Sequence, residues 1–251
     1  MELIFDRNKL KLHRSNTSIF QNNNFLRQHA ANIIVQRLGL LNPSSGKVIE
    51  IGAGIGELTK KILHFDLTVT EVSPELLRLN PCLKQINIDD ENLELGDKAW
   101  NVVLSCLNLH WINDVKLFLR KIYLSLKPGG VFIANFIGGH SLKSLRKKLV
   151  ELEINLGLPA RPHISPFILK EDVMGLMQSV GFTAIIVESD SLETEYSNCL
   201  ALMKDLKQMG ESNKLIKASG QTLGKNLYLS LLESNEKFIT EFEIINVCGK
   251  K

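Results

Sequence analysis

The sequence predicts an α/β fold: a mostly parallel seven-stranded sheet with helices on both faces and helical insertions. Three observations lead there. Short β-branched runs alternate with segments of helical periodicity along the 251 residues, a rhythm that right-handed crossovers turn into a parallel sheet. The first run leads directly into Gly52, Gly54 and Gly56. The composition, 44% hydrophobic and 23% charged, is that of an ordinary globular chain.

Residues 1–17 are polar and basic around an apolar hook, Leu3, Ile4 and Phe5. Asn22 to Asn24 read as a turn or helix start. Phe25, Leu26, Ala30, Ile33, Ile34 and Leu38 then recur at helical spacing, punctuated by Gly39 and Pro43. Residues 47–51 form a first strand, and a helix covers 57–63. Residues 67–71 are the second strand, and Pro74 suits the first turn of another helix. Strands follow at 85–88, 100–105 and 131–136, the last preceded by an amphipathic helix over 113–126. Helices near 142–156 and 170–180, a strand near 182–188, helical segments at 196–216 and 227–232, and a strand at 237–247 complete the pattern. One domain is expected over 1–251. It comprises a helical cap (1–45), a cofactor-binding core (46–137), and substrate-side insertions with the last strands (138–251). Residues 138–167 and 190–235 are expected to be insertions over the sheet.

Thirty basic and 27 acidic residues leave a net charge of +3. That is too balanced for nucleic acid, which needs concentrated positive charge. Lys143, Arg146, Lys147 and Lys148 read as a solvated helix face. The four cysteines are scattered without C-x-x-C spacing, so no zinc, other metal or redox site is expected. No apolar run approaches the roughly 20 residues of a membrane span. The N-terminal stretch lacks an apolar signal core, and Glu2 and Asp6 oppose a transit peptide. A soluble cytoplasmic protein is expected.

The glycine turn narrows the ligand. Only glycine bends sharply and lets backbone approach a ligand closely. A dinucleotide fingerprint would place its third glycine at position 57, where Glu57 stands. A carboxylate at that helix start opposes a pyrophosphate. S-adenosyl-L-methionine carries an ammonium, a carboxylate and a sulfonium instead. Glu50 suits its cationic part, and the amides of the Gly52-Ala53-Gly54 turn suit its carboxylate. Glu71 ends the second strand, where an acid accepts ribose hydroxyl protons. Asp89 and Asp90 follow the third strand and suit the adenine amino group. Val72 and Ser105 join these residues at the same carboxyl edge of the sheet, where open α/β sheets bind ligands.

These residues sit in E-I-G-A-G-I-G, T-E-V-S-P, I-D-D-E-N-L, S-C-L-N-L-H-W and L-K-P-G-G, which resemble the ordered motifs of class I S-adenosylmethionine-dependent methyltransferases, a Rossmann-like fold. The chain is similar to the malonyl-carrier-protein O-methyltransferases. It resembles more closely the complex I assembly factor 5 family of mitochondria and alphaproteobacteria, through Ile4-Phe-Asp-Arg7, residues 136–142, His163-Ile-Ser-Pro-Phe167 and residues 202–213. The resemblance implies Gly52, Gly54, Glu71 and Asp89 as cofactor contacts. It implies a role in respiratory complex I assembly, with a peripheral-arm subunit as protein substrate. It also implies, as the alternative reaction, hydroxylation of an arginine of that subunit. A non-catalytic cofactor-binding assembly factor is the third reading. The implied compartment is the bacterial cytoplasm, with a peripheral place at the inner membrane, or the mitochondrial matrix of a eukaryote. His140 stands where that family usually has an acid.

Methyl transfer is an in-line displacement in which positioning supplies much of the rate. A base is needed only for a protonated nucleophile. Residues 105–111 leave the fourth strand toward the expected methyl position. Asn108, His110, Trp111 and His140 are the expected substrate-pocket residues, with His110 the candidate base because imidazole titrates near neutrality. The other reading of His110 is a packed loop histidine, and of Trp111 a core residue. An iron triad from His110, Asp114 and His140 or His163 is the weaker reading that hydroxylation would require. Residues 203–213 read as a helix end capped at Gly210, or as a lid or protein-substrate surface.

Overall fold

The computed structural model describes residues 3–16, 25–41, 46–218, 223–234 and 236–251. The turn expected at Asn22 to Asn24, and Pro43, lie outside the described residues. Seven strands form one sheet in the order β3-β2-β1-β4-β5-β7-β6. They are β1 (Lys47–Ile51), β2 (Asp66–Glu71), β3 (Gln85–Asn87), β4 (Trp100–Cys106), β5 (Leu126–Ile137), β6 (Thr183–Tyr196) and β7 (Phe238–Lys250). β1 pairs in parallel with both β2 and β4, β2 with β3, and β4 with β5. β7 is antiparallel to both β5 and β6. After β3 the chain returns to the other side of β1 to lay down β4. Strand order therefore reverses at β1 and β4, and the crevice at their carboxyl ends is where such sheets take ligands.

The helices are α1 (Arg7–Ser15), α2 (Phe25–Leu41), α3 (Thr59–Ile62), α4 (Pro74–Leu79), α5 (Val115–Ser125), α6 (Lys143–Asn155), α7 (Lys170–Val180), α8 (Cys199–Gln208) and α9 (Lys225–Glu233). Successive strand residues feed opposite cores, as a period of two requires. Ile49, Val103 and Phe132 pack with Phe118 and Ile122 of α5 and Met177 of α7. Val48, Val102 and Ile133 pack with Ala31, Ile34 and Leu38 of α2 and Leu77 of α4. A third core joins Leu145 and Leu149 of α6, Leu202 and Leu206 of α8, and Leu227 and Leu231 of α9 to Phe242 and Ile244 of β7.

Four elements differ from the sequence expectation. Residues 1–17 contain a helix, α1, whose start Asp6 caps by accepting from the Lys9 N–H at 3.0 Å. The helix expected over 196–216 stops at Gln208. There Gly210 takes φ +76°, and the Glu211 N–H reaches the Leu206 carbonyl, closing a Schellman end. The sixth strand does not end near 188 but runs to Tyr196, paired with Phe238, so residues 190–196 belong to the sheet. The exposed polar run Glu188, Ser189, Asp190 and Ser191 interrupts the alternation that marks a strand in sequence, which resumes with half-buried Leu192, Thr194 and Tyr196 between exposed glutamates that protect the edge. The fifth strand starts at Leu126 and passes through the Pro-Gly-Gly turn with a shift of register beside Trp100 and Val102. Among the described residues no helix is long and apolar enough to cross a membrane.

Candidate cofactor site

β1 delivers the chain into Gly52, Gly54 and Gly56, with φ of +69°, +55° and +91°. A Cβ on Gly52 would fall 2.4 Å from the Asn108 side chain, whereas one on Gly54 would meet nothing within 4 Å. Gly54 therefore presents bare backbone to the crevice, and Gly52 is packed tight behind it. The Ala53 N–H donates to the Thr70 carbonyl at 2.9 Å, and the Gly54 N–H donates to Glu71 Oε2 at 3.0 Å. Glu57 stands where a dinucleotide site would have glycine. It is buried, and its Oε1 has no hydrogen-bond partner among the described residues.

Four further carboxylates converge at the strand ends. Glu50 is fully buried and accepts from Thr59 Oγ1 at 2.6 Å. Burial pushes it up to about 8 against that hydrogen bond, with the charges of Glu57 and Glu71 adding to the rise. Glu71, also fully buried, accepts from Arg14 Nη1 at 2.9 and 3.1 Å and from the Ser73 N–H at 3.1 Å. Asp89 accepts from Arg7 Nη2 at 2.6 Å and Nε at 3.1 Å. Burial alone would raise Asp89, but the Arg7 hydrogen bonds and charge prevail and hold it below the usual carboxylate range. Asp90 Oδ2 accepts from Asn108 Nδ2 at 3.1 Å, while its buried Oδ1 has no partner among the described residues. Burial raises the Asp90 carboxyl despite Arg7 and Arg14. Asn108 Oδ1 in turn accepts from Arg14 Nη2 at 2.8 Å. Val72 and Ser105 sit buried at the same edge, the Ser105 hydroxyl donating to the Ile51 carbonyl at 3.3 Å.

Folded Glu50 holds its proton to higher pH than it would unfolded. The folded state thus binds more protons from about pH 4.5 to about pH 8, and stability falls as pH rises through that window. Glu50→Gln removes the group that must ionise. Between pH 6 and 8 the wild-type melting temperature is expected to drop more than the variant's, by roughly several degrees. Equal slopes in thermal melts would refute a raised Glu50.

Two arginines of the site escaped sequence reasoning. Arg14 and Arg27, from α1 and α2, line the cavity beside the glycine turn together with Glu50 and Glu57. The available signal was the spacing of Arg7, Leu10 and Arg14, which places all three on one helix face.

A second cavity, of about 460 Å³, opens between α1, α6, the 161–167 loop and the end of α8. Leu142, Leu145, Leu149 and Phe167 line it with apolar surface, and Lys9, Arg161 and Lys207 add cations. Glu211 reaches it from behind. Its Oε2 lies 2.9 Å from His110 Nε2 and accepts from Trp111 Nε1 at 3.1 Å. Burial opposes ionisation of Glu211, yet His110, Arg27 and Lys214 hold it down at about 2. His110 Nδ1 accepts the Ile137 N–H at 3.4 Å, which leaves the ring proton on Nε2 facing Glu211. Trp111 is 1% exposed and packs edge-on against Phe5 and Phe167 with Lys214 over its ring. Burial brings the Lys214 amine down to about 7.

The structure does not bring His140 to this group: it is exposed and bonded to Glu243. Asp114 caps α5, and His163 sits 2.7 Å from Glu153, so neither meets His110.

The methyltransferase-domain family matches residues 24–187, more than half of the chain. The chain belongs to this family. It is 39% identical over 208 residues to the protein RP459 of Rickettsia prowazekii, whose name assigns it provisionally to the methyltransferases. That match covers 81% of this chain and 90% of the relative. It is 32% identical over 224 residues to the mitochondrial arginine-hydroxylase NDUFAF5 of Mus musculus, covering 84% of this chain and 64% of that one. The chain thus spans less than two thirds of that relative. A malonyl-[acyl-carrier protein] O-methyltransferase of Coxiella burnetii is 22% identical, covering 82% of this chain and 71% of its own.

Among solved structures, phosphoethanolamine N-methyltransferase 2 of Haemonchus contortus, in complex with S-adenosyl-L-methionine, superposes with a TM-score of 0.52 at 18% identity. It covers 88% of this chain and 52% of its own. The [4+2]-cyclase SpnF superposes at 0.57 and 11% identity, covering 98% and 93%. These neighbours establish the Rossmann-like methyltransferase fold. The family match, with a neighbour solved with the sulfonium cofactor, supports S-adenosylmethionine as cofactor of an enzyme of this family.

Proposed function

We propose that this chain binds S-adenosylmethionine at the carboxyl ends of β1, β2 and β4 and methylates an acceptor seated in the larger cavity. The observation that carries this reading is Glu71. It is a fully buried carboxylate fixed by the Gly54 and Ser73 N–H groups at the tip of the strand beside the left-handed glycine turn. Such a carboxylate matches a pair of ribose hydroxyls. The spare Asp90 Oδ1, on the residue that follows Asp89, suits an adenine amino group. The spare Glu57 Oε1 suits an ammonium and sulfonium, whose approach would draw the proton off Glu50, and Arg27 in the same cavity, held by the Met209 carbonyl at 2.6 Å, suits a carboxylate. Gly52, Ala53, Gly54 and Gly56 leave room for close approach, and Ser105 braces the turn through Ile51.

The bound cofactor supplies an electrophilic methyl group. The protein's part is to hold an acceptor in line and to take a proton where the acceptor carries one. His110 is the proposed base, and the Glu211 anion would stabilise its imidazolium. Its one lone pair faces the Ile137 N–H, a long hydrogen bond that must yield for His110 to act. Asn108 belongs with the cofactor carboxylates, and Trp111 supports His110. Residues 1–45 act as cap, 46–137 as cofactor core and 138–251 as the acceptor side with its helical insertions.

A second reading takes arginine hydroxylation from the relatives of that name, with a subunit of respiratory complex I as partner, in the bacterial cytoplasm or the mitochondrial matrix; it would need dioxygen and a two-electron reductant from the host, one oxygen atom entering the arginine and the other leaving as water. The identity to those relatives over most of this chain favours it, and the ionised Glu211 beside the cavity would suit a guanidinium. Incubation of the purified protein with cofactor labelled on the methyl group and an extract of its host separates the two. Label moving to an acceptor is expected. An unlabelled respiratory subunit that gains the mass of one oxygen would replace the first reading with the second.

A further inference from the structure

We propose that α1 is a strap over the cofactor crevice, its arginines standing where the cofactor's hydroxyls and base edge would sit, so that cofactor entry displaces α1 and opens the larger cavity. This rests on the reading of Glu71 and Asp89 given above. Arg14 Nη1 occupies both oxygens of Glu71, and Nη2 occupies Asn108. Arg7 occupies Asp89 with two nitrogens and the Trp111 carbonyl with a third at 2.9 Å. What remains of the crevice is a cavity of about 20 Å³. That is room for about one water, whereas pockets for ligands of this size run to about 300 Å³ and above. Cofactor and Arg14 therefore compete for Glu71.

The two arginines lie seven residues apart, two turns along one helix, so one rigid movement frees both carboxylates. The apolar surface that opposes that movement is one small cluster, in which Phe5 and Leu10 are buried against Trp111 and Leu215. The strap also touches the acceptor side, because Lys9 and His13 line the larger cavity. Its leading segment is tied to the chain that follows Glu211. The Asp6 N–H donates to the Lys214 carbonyl at 2.9 Å, and the Ile216 N–H donates to the Ile4 carbonyl at 3.0 Å. Ser212 Oγ lies 3.0 Å from His13 Nδ1. A displaced α1 would pull on the loop that carries Glu211, so cofactor binding precedes acceptor binding.

A closed strap lowers apparent affinity by the fraction of molecules that are open. Arg14→Ala is expected to bind S-adenosylhomocysteine at least about tenfold more tightly than wild type in titration calorimetry, and Arg7→Ala more tightly by a smaller factor. In wild type, saturating S-adenosylhomocysteine is expected to speed tryptic cleavage after Lys9, Lys11 and Arg14, a readout that needs no variant. Equal or weaker binding by both variants, or slower or unchanged cleavage within α1, would overturn the strap and leave the cofactor site standing. Absence of binding by wild type and both variants would overturn the cofactor site, and the strap with it.

Discussion

Glu71→Ala is expected to abolish detectable binding of S-adenosylhomocysteine and to destabilise the folded protein by about 3–5 kcal/mol. Both effects come from burial. Glu71 has no solvent exposure, and its two oxygens satisfy Arg14, the Gly54 N–H and the Ser73 N–H. Alanine strands a buried guanidinium and two buried amides. It also removes the acceptor proposed for the ribose. Adding Arg14→Ala to the variant is expected to restore part of the stability, because the stranded cation goes too, but none of the binding. Urea denaturation and calorimetry read the two effects separately. A stability loss below about 1 kcal/mol would mean that the Arg14 pair is not formed in solution.

Gly52→Ala is expected to cost about 3–4 kcal/mol and to eliminate cofactor binding. The left-handed backbone at φ +69° alone penalises any Cβ by about 1–2 kcal/mol. The rest comes from Asn108, which a Cβ would approach to 2.4 Å. Asn108 cannot swing aside without breaking its bonds to Arg14 and Asp90. Gly54→Ala is the informative contrast. Its φ is also positive, but its Cβ would meet no protein atom within 4 Å. It is expected to lose only about 1–2 kcal/mol and still lose binding, since the added methyl enters the crevice. Similar stability losses for the two variants would show that Asn108 is free to move.

How much was legible in the chain follows from how local each signal is. β1, the glycine turn and the acids after β2 and β3 announce themselves because the strand, the bend and its carboxylates are near neighbours in sequence. The same locality hid α1. Its buried stripe is Leu10 and Arg14, flanked by half-buried Arg7, and a cation reads as solvent-facing until a buried carboxylate from 57 residues away is placed against it. Glu211 lies within the 203–213 motif that the sequence displays, but its tie to His110 spans 101 residues and cannot be read from spacing. His140 is expected in the substrate pocket because it stands where the resembled family usually has an acid. In the structure the fold turns it outward to Glu243, since the Gly138 N–H is already held by the Glu243 carbonyl of β7 at 2.8 Å. The extension of β6 past residue 188 was hidden for a different reason. Four consecutive exposed polar residues, 188–191, break the strand's alternation in the middle and read as its end.

The central physical claim is that carboxylates at the tips of β1, β2 and β3, beside a bend too tight for side chains, recognise an adenosine with a cationic tail. Titration calorimetry of the folded wild-type protein with S-adenosylhomocysteine, at two temperatures so that a vanishing enthalpy at one cannot hide binding, tests it most directly. Saturable heat with one site per chain is expected. No heat at either temperature, from protein whose thermal melt shows a cooperative fold, would contradict it.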